Sequence, residues 1–199
     1  MSTGNVSSAG VGTNRSFGER LFGALKLDAT VYEEVEHDTS AFGQAAAVVA
    51  LASIAQGIGA FQQAGVVGSL VNLVFNFVGW FISTGLVWLI GVKILNHTSD
   101  YPELLRTLGF ASAPGLLAVI GVVPAHFLNV IVGLAVLVLS LVAWVIAARQ
   151  ALDVGTGRAV VVCFIALLIP WAISLFLVAL VVGAGMAAHP AAVPGGMGF

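Results

Sequence analysis

Residues 39–92 read TSAFGQAAAVVALASIAQGIGAFQQAGVVGSLVNLVFNFVGWFISTGLVWLIGV and contain no Asp, Glu, Lys or Arg. A helix rises about 1.5 Å per residue and needs about 20 residues to cross a hydrocarbon core ~30 Å thick. The stretch is therefore too long for one membrane span and fits two, with a turn at residues 61–65. It predicts a helical hairpin in a lipid bilayer, with spans at residues 44–60 and 68–95.

Two more stretches lack these four residue types, residues 107–148 and residues 159–199. The first again fits two spans, because Pro124 interrupts it and removes a helical hydrogen-bond donor. The second fits one span followed by a flexible tail that is rich in Gly and Pro. The sequence thus predicts an all-α, polytopic membrane domain over residues 41–182, with two helical hairpins plus one span. The remaining spans are predicted at residues 107–123, 126–148 and 159–182, and the tail at residues 183–199.

The composition excludes several classes of protein. Of the 199 residues, 59% are hydrophobic and 8% are charged, against about 25% charged residues in ordinary soluble domains. Seven Lys and Arg with a net charge of -2 leave no basic surface for nucleic acid. The single cysteine, Cys163, lies in an apolar run and cannot form an internal disulfide. The chain is expected to be an integral membrane protein without redox chemistry or bound cofactors.

The basic residues predict the orientation of the spans. Lys and Arg accumulate on the cytoplasmic side of membrane proteins, and here they fall only before the first span and in alternate loops. The N-terminus is therefore expected in the cytoplasm and the C-terminus outside, in the cytoplasmic membrane if the source is a prokaryote. Residues 1–5 lack the pattern of a cleaved signal peptide. The basic residues are Arg15, Arg20, Lys26, Lys93, Arg106, Arg149 and Arg158.

A disordered leader (1–15) and a cytoplasmic head (16–40) precede the first span. Ser16 is a good N-cap residue, and apolar residues follow it at helical spacing, which predicts an amphipathic helix. This helix can lie in the plane of the lipid headgroups or pack against cytoplasmic loops, and the pattern fits both positions equally. The residues expected to form a membrane-surface helix are Phe17, Arg20, Leu21, Phe22, Leu25 and Lys26.

A second, acidic helix is predicted at residues 31–37, opened by a capping box of Thr30 and Glu33. Its carboxylates could be read as a cation site completed by the loop at residues 97–103. No ligand spacing typical of a calcium or zinc site is present. A solvated acidic face is the favoured interpretation, and no metal is expected. The residues concerned are Glu33, Glu34, Glu36, His37, Asp38, His97, Asp100 and Glu103.

Apart from Lys93 near the end of the second span, the predicted spans carry no ionisable side chain except His126 and Cys163. Proton relays and voltage sensors need such residues inside the membrane, and no serine of the spans has a nearby base in a catalytic motif. The chain is therefore expected not to be an enzyme.

Small residues at helical spacing favour close helix packing and make a homodimer plausible. Pro114 and Pro170 are expected to kink spans three and five, which leaves a small-solute or lipid translocator as the alternative function.

Two segments resemble the Yip family of five-span membrane proteins, and its prokaryotic members in particular. The segments are FGERLFGALKLD at residues 17–28 with YEEVEHD at residues 32–38, and YPELLRTLGFASAPGLL at residues 101–117. Eukaryotic relatives carry an Asp-Leu-Tyr-Gly-Pro motif before the first span and a Gly-Tyr motif in the third. Residues 38–44 and 109–110 look like remnants of these motifs, with phenylalanine in place of both tyrosines and Gln44 in place of proline.

The resemblance implies a helix contact shared by the family, formed between the start of the first span and the third span. It also implies a non-enzymatic membrane-organising or adaptor protein, which binds membrane lipids and a protein partner on the cytoplasmic side. In the eukaryotic branch the family is associated with Rab-type GTPases and vesicle traffic. The residues expected in the contact are Asp38, Phe42, Gly43, Gly109, Phe110 and Pro114.

Overall fold

The computed structural model describes residues 15–169 and residue 172. All regular secondary structure in these residues is helical, as predicted. Three predicted segments lie wholly or partly outside the described residues. They are the leader up to residue 14, the fifth span after residue 169 except residue 172, and the tail at 183–199. The α-helices are α1 (Phe17–Leu25), α2 (Ala29–His37), α3 (Phe42–Gly59), α4 (Phe61–Trp88), α5 (Tyr101–Phe110), α6 (His126–Ala151) and α7 (Thr156–Ile169).

Among the described residues, four helical segments are long and apolar enough to cross a membrane, and α7 is a shorter apolar helix at the position of the predicted fifth span. This arrangement confirms the polytopic all-α fold. Each of the four contains one of the first four predicted spans almost completely, and the bounds differ by a few residues at most ends. The four segments are Thr39–Gly59, Gly65–Ile94, Tyr101–Val122 and His126–Ala151.

The connection between the first two spans lies where the sequence predicts it, since one membrane-spanning segment ends at Gly59 and the next begins at Gly65. Ala60 separates α3 from a short helical turn that starts at Phe61. The chain then kinks at Gly65, whose φ of 62° is accessible because glycine has no Cβ atom. The second span then ends in a π-helix at Leu89–Ile94.

The third span begins six residues earlier than predicted and changes helix type midway. It starts at Tyr101 behind a capping box of Asp100 and Glu103. The α-helix ends at Phe110, because Pro114 has no N–H to donate to the Phe110 carbonyl. The span continues as a 3-10 helix at Ala113–Val122. The expected break at Pro114 is therefore present, whereas Pro170 lies outside the described residues.

The α3 helix is the centre of the bundle. It packs against α4, against α5 and against the 3-10 helix that follows α5, running parallel to the third span. The α6 helix also packs on the third span, and α2 contacts both α5 and α6. We call α1 and α2 the head, and the end of the bundle that carries them the charged end.

The head differs from the sequence prediction at the start of α2. Asp28, not Thr30, is the N-cap residue, and its carboxylate accepts hydrogen bonds from the Thr30 backbone N–H at 3.0 Å and hydroxyl at 2.8 Å. The preceding residue, Leu27, has a φ of 61°. The left-handed conformation at Leu27 turns the chain sharply, so α2 begins two residues before the predicted start.

Candidate functional site

A buried arginine links α1 to α2 and to the first span. The Arg20 side chain is 3% exposed. Its guanidinium pairs with Glu34 at 2.9 Å and with Asp38 at 2.7 Å, and it donates a hydrogen bond to the Gln44 amide oxygen at 3.0 Å. Such a buried cation is tolerated because each of its three guanidinium nitrogens contacts an acceptor, and two of the acceptors are carboxylates. Arg20 therefore fixes the orientation of α1 relative to the start of the bundle.

Asp38 binds both Arg20 in the head and Ser40 at the start of the first span. Its carboxylate accepts hydrogen bonds from the Ser40 hydroxyl at 2.6 Å and from the Ser40 backbone N–H at 2.9 Å, which caps the short 3-10 turn before α3. The hydrogen bond from the Ser40 hydroxyl, followed by the contact with Arg20, holds the pKa of Asp38 below its ordinary value. Asp38 thus ties the first membrane span to the head.

The α1 helix has an inner and an outer face. Arg20 and Ala24 are buried on the inner face, so Arg20 is not on the exposed surface where the sequence analysis placed it. Phe17, Leu21 and Leu25 are half-buried and pack against the core. On the outer face Phe22 is 65% exposed and Lys26 is exposed. The α1 helix also contacts the 3-10 helix of the third span, so the head packs directly on a membrane-spanning segment.

A second buried arginine joins α2 to the third span. Arg106 is 5% exposed, and its Nε donates to the Val35 carbonyl at 3.0 Å. Its Nη2 donates to the Glu36 carbonyl. These two carbonyls belong to the last turn of α2, where the helix dipole places partial negative charge. Arg106 therefore caps α2 from the third span and holds it against the bundle.

Glu36 is a carboxylic acid in an unfavourable environment. It is 8% exposed, and burial raises its pKa to about 7 from an ordinary value of 4.5. Asp153, Glu103 and Glu33 raise the pKa further, while His37 opposes them. Folding therefore favours the protonated form of Glu36 near neutral pH.

Replacing Glu36 with glutamine should remove a pH dependence of stability. Because the pKa of Glu36 is higher in the folded protein, the stability of the wild type falls as pH rises from about 4.5 through about 7. Glutamine cannot ionise, so we expect its melting temperature at pH 8 to exceed that of the wild type by roughly 3–8 °C. Thermal unfolding of the purified protein in detergent at pH 5 and pH 8 measures this difference.

His37 provides the control for this experiment. A hydrogen bond from its ring to the Glu33 carbonyl raises the pKa of His37, so its protonation also favours the folded state at low pH. Glu36→Gln should flatten most of the pH dependence, and His37→Gln should flatten a smaller part. A wild type equally stable at pH 5 and pH 8 would contradict the role given to Glu36.

Aromatic and small residues connect the first three spans near the charged end. The ring of Phe42 stacks on Trp80, with ring centroids 6.1 Å apart. The indole N–H of Trp80 donates to the Leu105 carbonyl at 3.2 Å. A Cβ atom added at Gly109 would lie 2.8 Å from the Ala45 Cβ and 3.1 Å from the Trp80 ring. The missing side chain of Gly109 therefore allows α3 and α5 to approach closely around Trp80.

The six residues expected in the helix contact do not all lie together but occupy three different environments. Phe42 and Gly109 both lie next to Trp80, and Phe110 and Pro114 are buried in the same span as Gly109. Asp38 belongs to the Arg20 cluster. Gly43 is exposed, and no atom lies within 4 Å of the position of an added Cβ. The start of the first span and the third span are thus in contact, but Gly43 takes no part in it.

Sequence analysis missed the two arginines that hold the head. Arg106 was counted as a loop residue that marks the cytoplasmic side, although it lies inside a buried helix. For Arg20 a signal was present, since it shares the helical face of Phe17, Leu21 and Ala24. An arginine on an apolar face needs a buried partner. Within the described residues no group of three His, Cys, Asp or Glu side chains could hold a metal ion.

The sequence model of the Yip1 domain matches residues 29–182 of the chain. The matched region begins at α2 and includes Asp38, Phe42, Gly109 and Pro114, whereas α1 precedes it. No curated protein and no solved structure matches the chain.

Proposed function

Because the chain belongs to the Yip1 domain family and is a multi-pass membrane protein, we propose that it is a non-enzymatic adaptor or membrane-organising protein that acts through its head. In this proposal the charged end faces the cytoplasm, as the positions of Lys and Arg favour. The partner is a cytoplasmic protein that docks on the outer face of α1, and membrane lipids surround the spans.

The observation that carries this proposal is the fixed position of the head. Arg20 and Arg106, both nearly fully buried, join the two short helices to the first and third spans. A rigid binding surface loses less conformational entropy when a partner docks than a flexible tail does. The head is therefore preorganised for recognition, and its exposed residues are held in one arrangement.

Phe22 is the residue of the head best suited to anchor a partner. It is an aromatic side chain that is 65% exposed, next to the exposed Lys26 on the outer face of α1. Exposed aromatic residues are enriched among those that dominate binding energy at interfaces. Replacing Phe22 leaves the buried contacts of Arg20 and Ala24 in place, so the fold of the head should persist.

The test is affinity capture of the tagged full-length protein from its native cell in mild detergent, with quantitative mass spectrometry. We expect a stoichiometric partner with the wild type and a loss of about tenfold or more with Phe22→Ser. Phe127→Ser is the matched control, because Phe127 is 79% exposed at the start of α6, far along the chain from the head. The control should retain the partner.

Two outcomes would contradict the adaptor proposal. One is the absence of any stoichiometric partner in the wild-type sample. The other is a partner that is retained equally by wild type, Phe22→Ser and a charge-reversed head carrying Lys26→Glu. Deletion of residues 16–40 is a poorer test, because it would expose the buried guanidinium of Arg106 and destabilise the bundle.

A translocator for small solutes or lipids is the second candidate. The third span changes helix type at Pro114, as expected for such a function, and a polar cavity adjoins this break. This candidate predicts solute flux or lipid scrambling by purified protein in proteoliposomes. The adaptor proposal predicts neither activity.

A further inference from the structure

A polar cavity lies inside the membrane-spanning part of the bundle. Its volume is about 270 Å³, slightly below the range of about 300–1,000 Å³ that holds drug-sized ligands. It is bordered by α3, α4, α6 and the third span. The polar residues that line it are Ser53, Gln56, Asn76, Ser83, Ser112 and Ser140, and the aromatic ones are Phe75, Trp80 and Trp144.

Most of this polar lining makes no hydrogen bond within residues 15–169. Ser53 donates to the Val49 carbonyl at 2.7 Å, and Asn76 donates to the Asn72 amide oxygen at 2.7 Å. Within the described part of the chain, four other lining side chains make no hydrogen bond. They are the Gln56 amide and the hydroxyls of Ser83, Ser112 and Ser140. Unpaired polar groups are costly in the membrane, so a ligand that satisfies several of them would be bound favourably.

The chemistry of the lining restricts the ligand. The lining residues include hydroxyls, amides and aromatic rings but no Asp, Glu, Lys, Arg or His. An ion or a phosphate would be desolvated there without a counter-charge, at a high cost in free energy. An uncharged group with several hydroxyls could instead exchange hydrogen bonds with the serines and Gln56, and place its apolar face on a Trp ring. The cavity therefore suits a sugar or another neutral polyol.

The cavity can be reached from the lipid bilayer. The α4 and α6 helices both border the cavity but do not pack extensively against each other in the described residues. Phe75, at the border of the cavity on α4, is 71% exposed on the surface that faces lipid. A second, mostly apolar cavity of about 380 Å³ is also bordered by α3, α4, α6 and the third span, and Gln56 lines both cavities. A ligand can thus enter sideways between α4 and α6.

We propose that this cavity binds the uncharged, hydroxyl-bearing headgroup of a lipid that enters between α4 and α6. The inference is independent of the adaptor proposal, since it concerns a different face and a different ligand. Gly115 forms part of the site, because a Cβ atom added there would lie 2.8 Å from the Gln56 amide nitrogen. Gly115 leaves the amide free to face the cavity.

Native mass spectrometry of the full-length protein tests the proposal, with monoglucosyl diacylglycerol as the probe and phosphatidylglycerol and free glucose as comparisons. We expect a one-to-one adduct with the glycolipid, weakened about tenfold in the double variant Gln56→Leu, Ser112→Ala. Gly115→Ala should weaken the adduct as well, since it displaces the Gln56 amide. Thr84→Val is the control, because Thr84 is fully buried and does not line the cavity.

The possible outcomes distinguish between a neutral glycolipid, an anionic phospholipid and a free sugar as the ligand. Retention of the glycolipid by the wild type and the control, with loss in the cavity variants, supports the proposal. Equal adducts in all variants would overturn it. Stronger binding of phosphatidylglycerol would overturn the requirement for a neutral headgroup, and binding of free glucose in place of the glycolipid would overturn the lipid source.

Discussion

Replacing Arg106 with methionine should release the head from the bundle and destabilise the folded protein by about 3 kcal/mol. Methionine fills a similar apolar volume but donates no hydrogen bond, so the Val35 and Glu36 carbonyls at the end of α2 would be buried without partners. Loss of the positive charge also removes its interaction with the helix dipole. We expect tryptic cleavage at Lys26, in the head, to accelerate about 100-fold.

Two variants control this experiment. Arg106→Lys retains the charge but cannot reach both carbonyls with a planar group, so cleavage should be intermediate. Arg149→Met removes an exposed arginine at the same end of the bundle and should leave cleavage unchanged. If Arg106→Met digests at the wild-type rate, the Arg20 cluster and the apolar contacts of the head hold it without Arg106.

The membrane spans could be predicted from the sequence because hydrocarbon imposes a simple rule. Every residue of the run 39–92 had to be compatible with lipid, so the absence of charge marked the first two spans within a few residues. The same rule made the predicted third span shorter than the observed one. Arg106 is charged and lies at the predicted boundary, yet its charge is stabilised inside the protein by hydrogen bonds to helix carbonyls. A pattern of charges cannot distinguish a solvated arginine from one buried against another helix.

The candidate site was harder to predict, because it depends on which residues of separate helices face each other. Gly43 and Gly109 both stand in segments that resemble family motifs, but only Gly109 lies at the close approach of two helices. This difference follows from the rotation of α3 against α5, and Trp80 on α4 contacts both helices through the Phe42 ring and the Leu105 carbonyl. The sequence around Gly43 and Gly109 contains no feature from which that rotation could be predicted.

Replacing Gly109 with alanine should destabilise the bundle by about 2–3 kcal/mol, although alanine is favoured over glycine in helices by about 1 kcal/mol. The added Cβ would lie 2.8 Å from the Ala45 Cβ and 3.1 Å from the Trp80 ring. Neither neighbour can move away easily, since Ala45 is fixed to the α3 backbone and Trp80 is held by its hydrogen bond to Leu105. Thermal unfolding in detergent, with the yield of monodisperse protein, measures the effect.

A double-mutant cycle identifies the cause of that loss. Ala45→Gly removes the closest atom, so the pair Gly109→Ala, Ala45→Gly should be more stable than the sum of the two single changes predicts, by about 1 kcal/mol or more. Gly133→Ala is the control, because no atom lies within 4 Å of an added Cβ on α6, and it should be neutral or stabilising. Additive effects of Gly109→Ala and Ala45→Gly would mean that α3 and α5 do not meet at this point. The contact that the family resemblance implies between the first and third spans would then have to lie elsewhere along these two helices.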